Sequence, residues 1–431
     1  MNLRAAPAGP RAALRSAGPP LAALAIALLA YLLAGVGSRG QVPRTFPLYA
    51  ALLALALGGA WVGARRRAPG ADPRVVPVAF ALIGLGFAEI FRLSGGLAAE
   101  QATWILVGAA AFVATLWFVR DHRQLDAATY TIGLGALALL FLPMVPGIGA
   151  TINGARLWVR VGPLGFQPSE IAKVLLVVFL ASFLAQRREL LAGAAAGRAG
   201  LPPLRHLAPL LVAWGASLGV LFFQRDMGAS LLFFGIFVAM LWVATGRTAY
   251  LVVGVALFAV GAGIGYAVFD HVQLRVDVWL HALDPDRVYG AGYGQLAQAQ
   301  FGMATGGILG SGPGRGSPGL IPFAATDFIF AAIGEELGLV GTTAVLLLFA
   351  VLVGRGLRVA VRARDDFGTL LAAGLATILG FQAFVIAGGV TRVIPLTGVT
   401  LPFVSYGGSS LVANSVLLAL LVRVSADRRG P

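Results

Sequence analysis

An all-α, polytopic membrane fold of about twelve transmembrane helices is what this sequence predicts, and three observations carry it. The 431 residues are 58% hydrophobic and only 12% charged, whereas soluble domains carry about 25% charged residues. Apolar runs long enough to span a bilayer recur along the whole chain. The basic residues, all arginine except Lys173, fall unevenly between alternate loops.

A window of about 19 residues places spans near 20–37, 46–64, 75–92, 103–119, 129–146, 171–185, 207–223, 229–245, 249–269, 328–353, 369–389 and 408–423. Arginines precede the first, as in a signal peptide, but eleven spans follow it, so a retained anchor is the better reading. With the N-terminus inside, twenty-one arginines fall in inner loops and ten in outer ones. This puts both termini in the cytoplasm and the loops 147–170, 270–327 and 390–407 on the outer face. The net charge of +14, which in a soluble protein would suggest nucleic acid, is thereby absorbed by topology. The expected neighbours are membrane lipids, not nucleic acid. Cysteine is absent, which excludes disulfides and thiolate metal sites. The Ala-, Gly- and Arg-rich stretch 186–206 reads as a connector.

Polar residues concentrate in the outer loops, where a membrane protein sparing with charge places its chemistry. The longest, 270–327 between spans nine and ten, holds Asp284-Pro285, Asp286, Gly290, Gly292 and Tyr293. A carboxylate here suits a general base acting on a hydroxyl; a solvated loop aspartate is the bland alternative. Its glycine run lacks the GK[ST] ending of a phosphate-binding loop. The stretch NGARLWVRVGPLGFQPSEIAK sets Arg156 four residues from Arg160 and Glu170 three from Lys173. Arg156, Arg160 and Lys173 suit an anion; alternatively Trp158 and the arginines anchor at the interface. Lys173 favours function, because a lysine within a span is expensive. Arg225 and Asp226 read as a local ion pair between helices. Thr326-Asp327 reads as the cap of span ten, whose first turns hold Glu335 and Glu336, two acids that need an ion pair or a wet cavity. PLTGVTLPFVSYGGSS (395–410) suggests a folded loop shielded by protein and offers the hydroxyls of Ser405, Tyr406, Ser409 and Ser410. The four histidines form neither a metal cluster nor a catalytic triad.

Together, NGARLWV with FQPSEIAK, QRDMGASLL, GAGYGQLAQAQFGMATGGILGSGPGRG, TDFIFAAIGEELGLVG and LPFVSYGGSS resemble the RodA/FtsW (shape, elongation, division and sporulation) family of bacterial wall synthesis. The matching segments keep the family's order over most of residues 150–415. The resemblance implies a ten-helix core at 75–431, with 1–74 supplying a tail and two extra spans as in the longer actinobacterial members. It also implies a peptidoglycan glycosyltransferase that polymerises lipid II into glycan strands outside the inner membrane, in elongation or division, beside a class B penicillin-binding protein. The family's essential loop aspartate corresponds to Asp284 by spacing from Trp279, with Asp286 kept in play by spacing from Gly290 and Tyr293. The family's first D-P is His281-Ala282 here, the His before Thr-Asp-Phe is Ala325, and the second arginine of R-R-W is Leu157. Substrate contacts are expected from Arg156, Trp158, Arg160, Gln167, Ser169, Glu170 and Lys173. Tyr293, Thr326, Asp327, Glu335, Ser405, Tyr406 and Ser409 complete the set. A divalent metal ion (Mg or Mn), held in part by Asp284, would assist the departing pyrophosphate; no organic cofactor is expected. A lipid II flippase is the main rival, and an inactive scaffold for a penicillin-binding protein a third reading.

Overall fold

The computed structural model describes residues 10–152, 155–161, 164–189, 211–212, 214–216, 218–219, 224, 226–290 and 292–427. Among these, ten helices are long and apolar enough to cross a membrane, so the chain is a multi-span membrane protein. They are α1 (Pro10–Arg39), α2 (Phe46–Arg67), α3 (Val75–Leu93), α4 (Gly95–Phe118), α6 (Pro168–Gln186), α7 (Met227–Thr245), α8 (Thr248–Val268), α11 (Ile329–Arg362), α12 (Asp366–Val390) and α13 (Gly408–Ala426). The other two of the twelve expected spans are not among these ten. The fifth span is the shorter α5 (Thr129–Phe141), and the seventh, near 207–223, falls largely outside the described residues. The connector 186–206 lies almost wholly outside them too.

Local chemistry sets the helix ends. Ser94 caps α4 by accepting from the Leu97 N–H at 3.4 Å, Asp226 caps α7 through Ala229 at 2.9 Å, and Asp365 caps α12 through Gly368 at 2.7 Å. Each side chain satisfies an N–H that the first helical turn leaves unpaired. The cap expected of Thr326-Asp327 is absent: Thr326 turns back to the Phe323 carbonyl at 3.2 Å, and Phe328 precedes α11 with no side-chain bond.

The most enclosed helices are α3, α6, α12 and α13. Outermost is α8, of which only Tyr250, Gly254 and Gly265 are buried. The N-terminal pair is built into the core, since α1 lies along α3 and α2 along α4. At the end of α1 the backbone of Gly37 meets that of Pro313 and Gly314 so closely that a methyl on Gly37 would sit 1.8 Å from the Pro313 carbonyl oxygen.

Two interhelical loops differ from a purely helical reading. Residues 147–170 contain a three-stranded antiparallel sheet of β1 (Gly149–Ile152), β2 (Ala155–Val161) and β3 (Leu164–Phe166). Ile152 pairs with Ala155, and the two residues between them are Asn-Gly, the strongest short hairpin signal a sequence offers. The long loop contains two helices, α9 (Asp270–His281) and α10 (Tyr293–Gly306).

Inside α11 the helix breaks at Gly338, where φ is 66° and ψ −163°, a conformation reserved for glycine. The N–H groups freed by the break are taken up by the glycine loop: Leu339 donates to Gly307 at 2.9 Å and Val340 to Ile308 at 3.1 Å. Broken backbone at membrane depth requires such protein partners. Gly338→Ala should therefore destabilise by more than about 2 kcal/mol, since its methyl would also lie 2.4 Å from the Gly310 nitrogen. Thermal unfolding in detergent measures the loss.

Candidate functional site

Lys173 organises a buried polar cluster. It is 2% exposed and donates to Glu170 Oε2 at 2.7 Å and to Gln382 Oε1 at 3.0 Å. The first bond is the i, i+3 pair legible in α6; the second reaches α12. Gln382 in turn donates to the Thr400 carbonyl at 2.7 Å, and the Thr400 hydroxyl to Ser410 at 3.0 Å. Ser409 Oγ accepts the Gln167 N–H at 3.0 Å. Ser169 is buried in the first turn of α6. Hence the segments 167–173 and 395–410 interlock.

Beside them Asp226, Arg275 and Asp327 form a second group. Arg275 leaves α9 to donate to the Leu396 carbonyl at 2.7 Å, and it shares the space in front of Gly398 with the Asp327 carboxylate. Burial lowers the Arg275 pKa, against the pull of Asp226 and Asp327. Burial pushes Asp226 up to about 6, opposed by the Ala229 N–H and by Arg275 and Lys173, and assisted by Glu170. Asp327 is likewise pushed up to about 6 by burial, against Arg275 and the Thr326 hydroxyl. Arg225, the partner expected for Asp226, lies outside the described residues.

Both acids titrate near 6 in the fold and near 3.9 when unfolded. The folded state therefore holds more protons between about pH 4 and 6. The stability this contributes is full below about pH 4 and is lost as pH rises through 6. Asp226→Asn or Asp327→Asn should flatten that fall by up to about 3 kcal/mol each, read from unfolding in detergent at stepped pH.

The long loop has its own network, centred on Asp277. This carboxylate lies 2.9 Å from Arg287 and 2.8 Å from His281, and it accepts from the Tyr293 hydroxyl. The Tyr293 bond, then Arg287 and His281, hold Asp277 below the usual carboxylate range. Arg392 fastens α9 to the loop after α12 by donating to the Trp279 and Leu280 carbonyls at 3.1 and 3.0 Å. Asp284 follows α9; it is half-buried, and Asp286 is exposed. The Asp284 carbonyl accepts from Arg287 and Val288, and among the described residues no side chain holds either carboxylate.

The remaining expected contacts divide. Arg156 donates to the Val145 carbonyl at 3.1 Å, and Arg160 on the same strand is exposed. Arg156, Trp158 and Arg160 alternate along β2 and so share one face of the sheet. Lys173, however, is committed to α6 and α12. Ser405 ties Leu401 to Thr326 through two bonds, and the Tyr406 hydroxyl, its pKa raised by burial and Glu100, donates to Glu100. Glu335 accepts the Ser317 N–H at 2.6 Å, while Glu336 pairs with Arg92 at 3.0 Å and takes the Gly314 N–H at 2.6 Å. Both acids thus anchor the glycine loop.

Sequence reasoning missed Gln382 as a partner of Lys173 and the grouping of Arg275 with Asp226 and Asp327, and it missed Glu89. Glu89 is 6% exposed in α3 and its Oε1 has no hydrogen-bond partner among the described residues; a lone acid in an apolar span was the available signal. His122, Asp365 and Asp427 bring ligand atoms within 4.8 Å of one another, though Arg123 already bridges both acids at 3.0 and 2.6 Å. His122 lies 243 residues before Asp365 in sequence, which hid the grouping.

Comparison with known proteins gives concordant results. The chain matches the FtsW/RodA/SpoVE family, described as cell cycle proteins, over residues 80–430. It is 46% identical over 404 residues to the peptidoglycan glycosyltransferase RodA of Mycobacterium tuberculosis H37Rv, covering 90% of this chain and 85% of that one. A probable peptidoglycan glycosyltransferase FtsW from Geobacter sp. M18 is 34% identical, over 85% of this chain and 99% of the relative. Among solved structures, a chain of a peptidoglycan synthase complex that coordinates polymerization and crosslinking aligns with a TM-score of 0.70 at 30% identity, covering 84% and 99%. Thermus thermophilus RodA, a rod shape determining protein, aligns at 0.59 and 28% identity, with the same coverage.

Proposed function

The chain belongs to the FtsW/RodA/SpoVE family, and from that premise we propose that it is a peptidoglycan glycosyltransferase that polymerises lipid II into glycan strands. The observation that carries this is 46% identity, over 90% of the chain, to relatives bearing that activity in their names. The arginine asymmetry between loops supports cytoplasmic termini and an active site on the outer face. Similarity to a chain of a complex coordinating polymerization and crosslinking supports a crosslinking partner, a class B penicillin-binding protein.

Polymerisation needs a base for the acceptor hydroxyl and positive charge for the departing pyrophosphate. Asp284 is the base in this reading, because it is half-buried and unengaged whereas Asp277 is spent on Arg287, His281 and Tyr293. Its carboxylate gains the acceptor's 4-hydroxyl proton as the new glycosidic bond forms, and the undecaprenyl pyrophosphate leaves with the electrons of the broken bond. Arg156 and Arg160 on β2 offer the guanidinium forks that suit phosphate oxygens. Lys173 acts from behind, holding Glu170 and Gln382 and through them the 395–410 loop. Asp284 would also offer a carboxylate oxygen to a Mg²⁺ or Mn²⁺ ion, and such an ion would neutralise pyrophosphate charge.

Purified protein, with a penicillin-binding partner and labelled lipid II, should produce glycan ladders. Absence of polymer with any partner, together with lipid II transport in vesicles, would replace this reading with a flippase.

A further inference from the structure

We propose that a cavity at the arginine-rich end of the molecule, between the turn at Asp72 and the last turns of α11, binds a phosphate group. The group is presented either by an anionic lipid headgroup or by a soluble phosphate. The cavity measures about 190 Å³ and is lined by Asp72, Arg355, Arg358, Val359 and Arg362. A single water needs only about 10–15 Å³, so a phosphate with its hydration fits. Residues 355, 358 and 362 follow the i, i+3, i+7 spacing that stacks side chains on one helix face.

Charge decides what the cavity admits. Asp72 is buried and already engaged, accepting the Arg74 N–H at 3.0 Å and lying 3.4 Å from Arg355. Arg358 and Arg362 have no hydrogen bond or ion pair from their guanidiniums among the described residues. Three guanidiniums against one carboxylate leave the lining positive, and planar guanidiniums bind phosphate oxygens in pairs. Arginines at a membrane surface ordinarily snorkel into solvent; Arg355 instead turns inward, with only 18% of its side chain exposed.

Depth argues for the headgroup region. Arg67 covers the Trp117 ring at 3.6 Å and Arg65 the Trp61 ring at 5.0 Å, and such tryptophans mark the interface level. The Asp72 N–H donates to Ser425 at 3.1 Å and Arg423 to the Arg67 carbonyl at 2.6 Å, so this end of α2, α11 and α13 is one assembly. Basic pockets between helices at this level suit anionic headgroups.

The test uses the full chain in phosphatidylcholine nanodiscs, wild type against Arg358→Gln/Arg362→Gln and Arg358→Lys/Arg362→Lys. One arm titrates fluorescent phosphatidylglycerol into the discs; the other adds inorganic phosphate to discs lacking anionic lipid and follows thermal unfolding. Wild type should bind at least one ligand, the glutamine variant at least about tenfold more weakly, and the lysine variant in between. Binding of phosphatidylglycerol alone assigns the phosphate to lipid, and stabilisation by inorganic phosphate alone assigns it to solution. If neither ligand distinguishes wild type from the glutamine variant at equal unfolding temperature, the proposal fails. If the glutamine variant does not fold, wild type that binds neither ligand, or a lysine variant that binds as wild type does, also overturns it.

Discussion

Asp284→Ala should lower glycan polymerisation by a factor of about 10² to 10⁴, the range a positioned general base contributes, while leaving the protein folded. Asp284 is half-buried with no side-chain partner among the described residues, so its removal breaks no ion pair. The other acids of these loops are differently placed. Asp277 holds Arg287 and Tyr293, and Asp226 and Asp327 lie against Arg275. Ladder intensity from labelled lipid II, at equal unfolding temperature, is the measurement. Undiminished ladders would remove Asp284 from the role and pass the same test to Asp286.

Lys173→Ala should abolish activity and also lower stability by about 3–5 kcal/mol, because it strands the buried Glu170 carboxylate without its cation. The two effects can be separated. Adding Glu170→Gln removes the stranded charge, so Lys173→Ala/Glu170→Gln should regain most of the lost stability, the signature of a coupled pair. Activity should stay low in the double variant if Lys173 works by setting the 395–410 loop through Gln382. A stable double variant that polymerises normally would reduce Lys173 to a structural residue.

What the sequence made legible depended on whether the signal was local. The spans were readable because each is a continuous apolar run, and Lys173 because a single lysine inside one is conspicuous. Its bond to Glu170 was readable from the spacing of one helical turn. The bond to Gln382 was not, since 209 residues separate the two and only packing of α6 on α12 joins them. Asp226 and Arg275 are hidden for the same reason, because each looks like an ordinary loop charge until the helices assemble. The small sheet was legible in principle from Asn153-Gly154 and the alternation of RLWVRV, local signals that the search for apolar spans passed over. Glu335 and Glu336 were recognised as needing partners. That one would serve Arg92 while both took N–H groups of the glycine loop required seeing the break at Gly338.

The contact of Gly37 with Pro313 and Gly314 bears on the order in which the chain assembles. Ribosomes deliver α1 and α2 long before the glycine loop, so the loop emerges to find a surface already waiting in the bilayer. Closing that contact encloses some 270 intervening residues, and contacts so distant in sequence form slowly. Correct seating of the loop is therefore a late event in biogenesis. Until it happens, the turn at Pro313 and Gly314 lacks its packing against α1, and a nascent protein with every helix inserted is still unfinished.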